Sequence, residues 1–229
     1  MNYATESNPA MRKRQTEPLS PEAFQRETGM SDAGLARFRT YLADLERWQK
    51  RINLVGPATL KDPWRRHFLD SAQLAHLLPP DTATLIDVGS GAGFPGLVLA
   101  LMQLERPAPA QCRVLLIESD QRKAVFLREI IRLTGAPAAL HEGRAEAYAG
   151  EKADVLTARA CAPLTRLLAL TQPLGKAGAT YLFPKGADAA DELTAAGKDW
   201  KMQLRQHRSA TDPNGAILEI TDLARRDDA

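Results

Sequence analysis

The chain has 229 residues, 44% apolar and 25% charged, with a net charge of only +2. That length suits one sizeable α/β core with a short extra segment and excludes two full domains with separate cores. No apolar run approaches the roughly 20 residues that span a bilayer, no secretory signal follows Arg12, Lys13 and Arg14, and Cys112 and Cys161 make neither a disulfide framework nor a paired-Cys metal site, so a cytoplasmic protein without a metal is expected.

In chain order, residues 1–17 are polar without apolar period and are expected to form a flexible tail. Residues 18–80 are expected to be a helical segment packed on the core, and residues 81–229 an α/β domain, the two making one structural unit. Ser20-Pro21-Glu22 reads as an N-cap and a first-turn Pro, opening a short helix that runs to Thr28-Gly29. Ser31 caps a longer helix in which Leu35, Phe38, Leu42, Leu45, Trp48 and Ile52 recur every three or four residues. Asp62-Pro63 opens a third, through Trp64, Phe68, Ala72, Ala75 and Leu78, stopped by Pro79-Pro80. This region also concentrates charge, with Arg47, Lys50, Arg51, Lys61, Arg65 and Arg66 against the single acid Asp62 between positions 47 and 67. Alone, that stretch reads equally as a solvated face or as a phosphate-contacting one.

Short β-like runs then alternate with helical segments. Strands are expected at residues 84–88, 114–117, 138–141, 154–158 and 179–183, and helices at 95–103, 120–133, 163–170 and 188–196. Such alternation predicts a mostly parallel sheet with helices on both faces. The turn signal Asp212-Pro213-Asn214-Gly215 separates runs at 201–208 and 216–221, a terminal antiparallel hairpin.

The chemistry concentrates where Leu85-Ile86-Asp87-Val88 runs into Gly89-Ser90-Gly91-Ala92-Gly93 ahead of a helix. Glycines there allow a tight turn and close approach of a ligand to the main chain, and open α/β sheets bind ligands at the carboxyl ends of their strands. Gly91, Gly93 and Gly96 also match the GxGxxG fingerprint of dinucleotide sites, a weak signal alone. Two spacings favour S-adenosylmethionine over NAD. Asp87 precedes the first glycine by two residues, where its carboxylate helps hold the loop and the cationic amino-acid end of the cofactor; Glu118 ends the next strand, where ribose hydroxyls need a double acceptor, a feature NAD sites share.

Asn53-Leu54-Val55, Arg66-His67-Phe68-Leu69-Asp70-Ser71, the run from Asp87 to Gly96, Arg122-Lys123 with Phe126-Leu127, Gly143-Arg144-Ala145-Glu146, Thr157-Ala158-Arg159-Ala160 and Lys185-Gly186 occur in that order. As an ordered set, from about Ser31 to Ile220, they resemble the RsmG family, also called GidB, methyltransferases that form 7-methylguanosine in the decoding region of 16S rRNA. The resemblance implies a class I S-adenosylmethionine-dependent methyltransferase fold, Rossmann-like, with a mostly parallel seven-stranded sheet, a C-terminal antiparallel hairpin and N-terminal helices. It further implies cofactor contacts at Gly89, Phe94, Ala145, Glu146 and Arg159, with Glu118 at the ribose, beside Asp87, Gly91 and Gly93 of the turn. The segment holding Glu118 and Asp120 departs from a frequent Asp-Ser-Leu, and Val55 replaces a frequent Thr. The implied partner is 16S rRNA or the 30S subunit, met by a monomer.

Guanine N7 carries a lone pair in the ring plane, so its methylation needs in-line placement, with N7 about 3 to 3.5 Å from the methyl group, and no general base or covalent nucleophile. Consistently, the Asn/Asp-Pro-Pro-aromatic motif of amino-group methyltransferases is absent. Arg159, emerging from an apolar strand, is expected to orient the cofactor or the base, or else to pair with a nearby carboxylate. His67 and Asp70, three apart on one helix face, either frame the guanine or form a structural pair. Lys185 meets an RNA phosphate or is a solvated loop lysine; Arg51, Arg65 and Arg66 are phosphate candidates through the resemblance. Ser71 reads as structural, and Cys161 as a small, partly buried thiol rather than a covalent nucleophile. The competing readings are an NAD(P)-dependent oxidoreductase and a non-catalytic ribosome-binding module.

Overall fold

Capping and apolar spacing set the N-terminal helices. In the computed structural model, which describes residues 17–106 and 112–226, Ser20 accepts a hydrogen bond from the Ala23 amide at 3.1 Å and opens α1 (Pro21–Thr28). Gly29 ends that helix in the left-handed region at φ 67°. Ser31 caps α2 (Asp32–Gln49), while its own amide and hydroxyl donate to Glu105, each at 3.0 Å. α2 buries Leu35, Phe38, Tyr41 and Leu45, and Phe38 meets Phe24 and Phe68 edge-on with centroids 5.2 and 5.4 Å apart. The expected tail lies, apart from Glu17, outside the described residues.

The third helix departs from expectation. It is π-helical over Trp64–Leu69, α-helical only over α3 (Asp70–Ala72), and 3₁₀ over Gln73–Leu77, and a further 3₁₀ turn at Pro57–Lys61 precedes it. A regular 3.6-residue stripe buries adjacent pairs but not three residues in a row, yet His67, Phe68 and Leu69 are all buried, and Ser71 and Ala72 follow them.

Seven strands form one sheet: β1 (Thr84–Val88), β2 (Arg113–Glu118), β3 (Ala138–Glu142), β4 (Ala153–Thr157), β5 (Gly175–Lys185), β6 (Trp200–Arg208) and β7 (Ala216–Arg225), ordered β3-β2-β1-β4-β5-β7-β6. β1 to β5 run parallel, and β7 is antiparallel to both β5 and β6. The helices between them are α4 (Gly96–Gln103), α5 (Gln121–Thr134), α6 (Leu164–Thr171) and α7 (Ala189–Ala196). One core layer packs α1, α2, the 64–77 segment, α4 and α5 on one face of the sheet, with Phe24, Phe68, Leu97 and Phe126 fully buried. The other packs α6 and α7 on the opposite face around Leu164, Leu168, Phe183 and Leu218. Every parallel strand therefore ends at the same edge of the molecule, and the site lies there.

Candidate active site

The turn after β1 follows from its glycines. Gly89, Gly91 and Gly93 adopt φ of 68°, 57° and 91°, and the Gly93 position leaves room for Tyr41, whose hydroxyl donates to the Ala92 carbonyl. Gly96 lets α4 pack onto β1, since a Cβ there would stand 2.4 Å from the Asp87 Cβ. Asp87 is fully buried beneath the turn, accepting from the Thr157 hydroxyl at 3.0 Å and the Gly96 amide at 3.2 Å. Burial pushes its carboxyl up from 3.8 to about 6, with the surrounding donors holding part of that shift back. The carboxylate thus holds the loop from below. Glu118 braces the turn from β2: its carboxylate accepts from the Gly91 and Asp120 amides, both at 2.7 Å.

Above the turn lies a cavity of about 760 Å³. Its walls come from Gly89, Ser90, Gly91, Ala92 and Phe94 of the turn, from Thr59, Arg66, His67, Asp70 and Gln73 of the N-terminal segment, from the loop after β4 at Arg159 and Cys161, from Lys185 and Gly186 at the end of β5, and from Ser209, Asp212 and Gly215 between β6 and β7. Among the expected cofactor residues, Gly89, Gly91, Phe94 and Arg159 line this space, whereas Asp87, Gly93, Glu118, Ala145 and Glu146 do not. Lys123, at the start of α5, lines it too.

Arg159 is held on several sides. Its Nη1 donates to the Asp70 carboxylate at 3.1 Å and to the Arg66 carbonyl at 3.0 Å, its Nη2 lies 3.0 Å from His67 Nδ1, and its Cζ sits 4.9 Å from the centre of the Phe94 ring. Phe94 also stacks with His67 at 4.8 Å and with Tyr41 at 5.5 Å. A guanidinium only donates, so His67 Nδ1 must accept and Nε2 carries the hydrogen. Nε2 faces Thr59 Oγ1 at 2.7 Å, and that hydroxyl donates to the Gly56 carbonyl at 2.6 Å. Burial, then the Arg159 and Arg66 cations, push the imidazole down from 6.5 to about 3, so His67 is neutral. His67 and Asp70, expected to frame a base or to pair with each other, are instead joined through Arg159.

The basic candidates separate by environment. Arg51 is exposed just beyond α2, and Arg66, with 43% of its side chain exposed, lines the cavity and meets Asp212 at 3.4 Å. Arg65 is only 13% exposed; it donates to Asp62 at 2.8 Å and to the Glu17 carbonyl at 2.8 Å. Lys185 lines the cavity but is not a solvated loop lysine: its side chain is 10% exposed, and its Nζ is 2.7 Å from Glu192 and 3.1 Å from the Ala162 carbonyl, tying α7 to the loop after β4. Cys161, expected partly buried, is exposed, with its sulfur where a Gly89 Cβ would stand 2.5 Å away. Desolvation, then the Asp87 and Glu118 carboxylates, push its thiol up, away from the thiolate a covalent step needs. Ser71 is buried, its hydroxyl without a partner among the described residues. Sequence reasoning missed Thr59, Gln73, Thr211 and Asp212. Thr211 and Asp212 stood at the visible turn signal, whereas Thr59 and Gln73 carried no signal.

The model of a family described as rRNA small subunit methyltransferase G matches residues 35–218. The chain belongs to that family, GidB. GidB-family relatives named ribosomal RNA small subunit methyltransferase G are similar along almost the whole chain. The protein of Rhodospirillum rubrum is 49% identical over 90% of this chain and all of its own length. That of Rhodospirillum centenum is 50% identical over 89% of this chain and 91% of its own, and that of Methylorubrum extorquens 48% over 93% and 97%. Among solved structures, a putative O-methyltransferase from Klebsiella pneumoniae superposes with a TM-score of 0.58 over 92% of this chain and 99% of its own, at 16% identity. An O-methyltransferase from Bacillus cereus in complex with SAH does so with a TM-score of 0.52 over 80% and 91%, at 11% identity. This GidB chain therefore has the class I methyltransferase fold, as its ordered motifs implied. Among its described residues no helix is long and apolar enough to cross a membrane.

Proposed function

We propose that this chain transfers a methyl group from S-adenosylmethionine to N7 of a guanosine in the decoding region of 16S rRNA. The observation that carries the reading is the glycine turn after β1 opening into a cavity of about 760 Å³ in a GidB-family chain. The names of the full-length relatives support an rRNA substrate.

The residues fit the cofactor. The nearest heavy atom to where a Gly91 Cβ would stand is 3.8 Å away, so the main chain there is open to close approach, and the volume lies within the range of small-molecule sites. Gly89, Gly91, Phe94 and Arg159 would hold it directly, with Glu118, Ala145 and Glu146 beside them and with Asp87 and Gly93 shaping the turn. The bound cofactor supplies an electrophilic methyl group on a sulfonium. Guanine N7 brings its own lone pair, so the chain's task is placement and exclusion of water. The wall agrees with that division of labour. Both His67 nitrogens are engaged and its imidazole is neutral, while both Asp70 oxygens accept from protein donors, so neither acts as a general base. Arg51 and Arg66, both exposed, would meet phosphate, with Lys123 at the cavity wall. A monomer acting in the cytoplasm, where ribosomal subunits assemble, completes the reading.

The test is mass-spectrometric mapping of 7-methylguanosine in 16S rRNA after incubating unmodified 30S subunits with this protein and labelled S-adenosylmethionine. Label at a decoding-region guanosine is expected. No incorporation, with cofactor binding shown by calorimetry, would favour a non-catalytic ribosome-binding module; NADH binding without S-adenosylmethionine binding would overturn the cofactor.

A further inference from the structure

The carboxylate of Asp70 serves two walls of the cavity at once. Its Oδ2 faces Arg159 at 3.1 Å. Its Oδ1 accepts from the Thr211 hydroxyl at 2.5 Å and from the Gln73 amide at 3.1 Å. Thr211 lies in the turn between β6 and β7, and Gln73 reinforces the link, its carbonyl oxygen accepting from the Ala210 amide at 2.8 Å. The partners are well shielded, with 17% of the Arg159 side chain, 18% of the Asp70 side chain and 7% of Thr211 exposed. We propose that Asp70 is a positioning residue that couples Arg159, on the cofactor side of the cavity, to the β6–β7 turn on its rim.

The inference rests on the cofactor reading above and adds to it a direction of response. Charge in a poorly solvated place must be balanced by donors. If Arg159 turned part of its guanidinium to the carboxylate of a bound cofactor, Asp70 would lose part of its cation and hold its remaining donors more tightly. Those donors belong to the turn and to the residue clamped on it. Ligand binding near the glycines therefore orders Ser209 and Asp212, which line the opposite rim. Arg159 cannot shed this coupling by swinging away, because His67 and the Arg66 carbonyl hold it on the same segment that carries Asp70.

Amide hydrogen exchange on the full chain tests this with S-adenosylhomocysteine as the probe and no RNA present. Saturating ligand is expected to slow exchange at Ala210, Thr211 and Asp212 by about fivefold, the low end of ordinary intramolecular coupling. In Asp70→Asn, and in Thr211→Val with circular dichroism showing a retained fold, the slowing should shrink to less than about twofold, and Thr211→Ser should restore it. Because coupling is reciprocal, Thr211→Val should also weaken the ligand by up to about fivefold although Thr211 lies across the cavity from the glycines. Ligand binding without any change at the turn, or full slowing in Asp70→Asn, overturns the proposal alone. Failure of the wild-type chain to bind S-adenosylhomocysteine overturns the cofactor reading and the proposal with it.

Discussion

A guanidinium offers five donors and no acceptor, and that asymmetry decides the state of the groups Arg159 touches. Arg159→Lys keeps the charge opposite Asp70 but loses the planar fork that reaches Asp70, His67 and the Arg66 carbonyl together. It is expected to lower kcat/KM for methyl transfer by about 10- to 100-fold with the fold retained, measured with labelled cofactor. Two buried groups leave opposite marks on stability. His67 is held neutral down to about 3, so the unfolded chain takes up a proton that the folded one refuses, and stability falls as pH drops through 6.5. Asp87, raised to about 6, does the reverse: the folded chain keeps a proton the unfolded one has lost, so this contribution falls as pH rises from 3.8 to about 6. Between about pH 4 and 6 the two contributions nearly offset, so denaturation midpoints in that range should fall towards acid in Asp87→Asn, where His67 acts alone, and rise towards acid in His67→Asn, where Asp87 acts alone. Neighbouring arginines differ as sharply. Arg66→Ala should weaken RNA association and reduce its salt slope by about one, whereas Arg65→Ala should leave that slope unchanged and cost about 1–3 kcal/mol of stability through Asp62 and Glu17, which urea titration would read. Nothing in the string Arg65-Arg66 distinguishes the two; only the partners do.

At the level of elements, the helices with side-chain caps were legible because their ends are written in local chemistry. Ser20, Ser31 and Asp120 each accept an amide hydrogen bond at the start of a helix, and Gly29 and Gly135 end two of them with positive φ. β5 shows where legibility stops. Only its apolar core near residues 179–183 was readable, since Gly175 enters the strand by pairing with Ala153, and Lys176 and Gly178 lie in the irregularity between that pair and the one joining Val155 to Thr180. β7 likewise extends to Arg225, past the alternating apolar run, because β6 offers a partner that far. The π-helical stretch was illegible for a different reason: its register is set by what His67 and Phe68 pack against, which lies far away in sequence. That packing is tight enough to predict from. Phe38→Ala removes a ring 1% exposed between Phe24 and Phe68 and is expected to cost about 3–5 kcal/mol, measured by chemical denaturation.

Over the whole molecule, the strand order brings the carboxyl ends of the parallel strands to one edge, and a fold of this kind is readable from alternation and a glycine turn. In the half of the site built by the N-terminal segment, Arg66, His67 and Asp70 were legible as candidates but their joining was not, because the contacts of Asp70 with Arg159 and Thr211 join residues 89 and 141 positions apart. A ligand bridging those parts should stabilise the native state as a unit: S-adenosylhomocysteine at about 100 times its dissociation constant is expected to contribute about 2.7 kcal/mol and raise the melting temperature by several degrees in a fluorescence melt. The mixed parentage of the cavity also bears on selective inhibition. Enzymes sharing the sheet and its glycine turn present a similar floor to any cofactor mimic, but the wall of Thr59, His67 and Asp70 comes from outside the sheet. A compound anchored on that wall would discriminate this chain from other enzymes built on the same floor, and escape from it by mutation would disturb Arg159 as well.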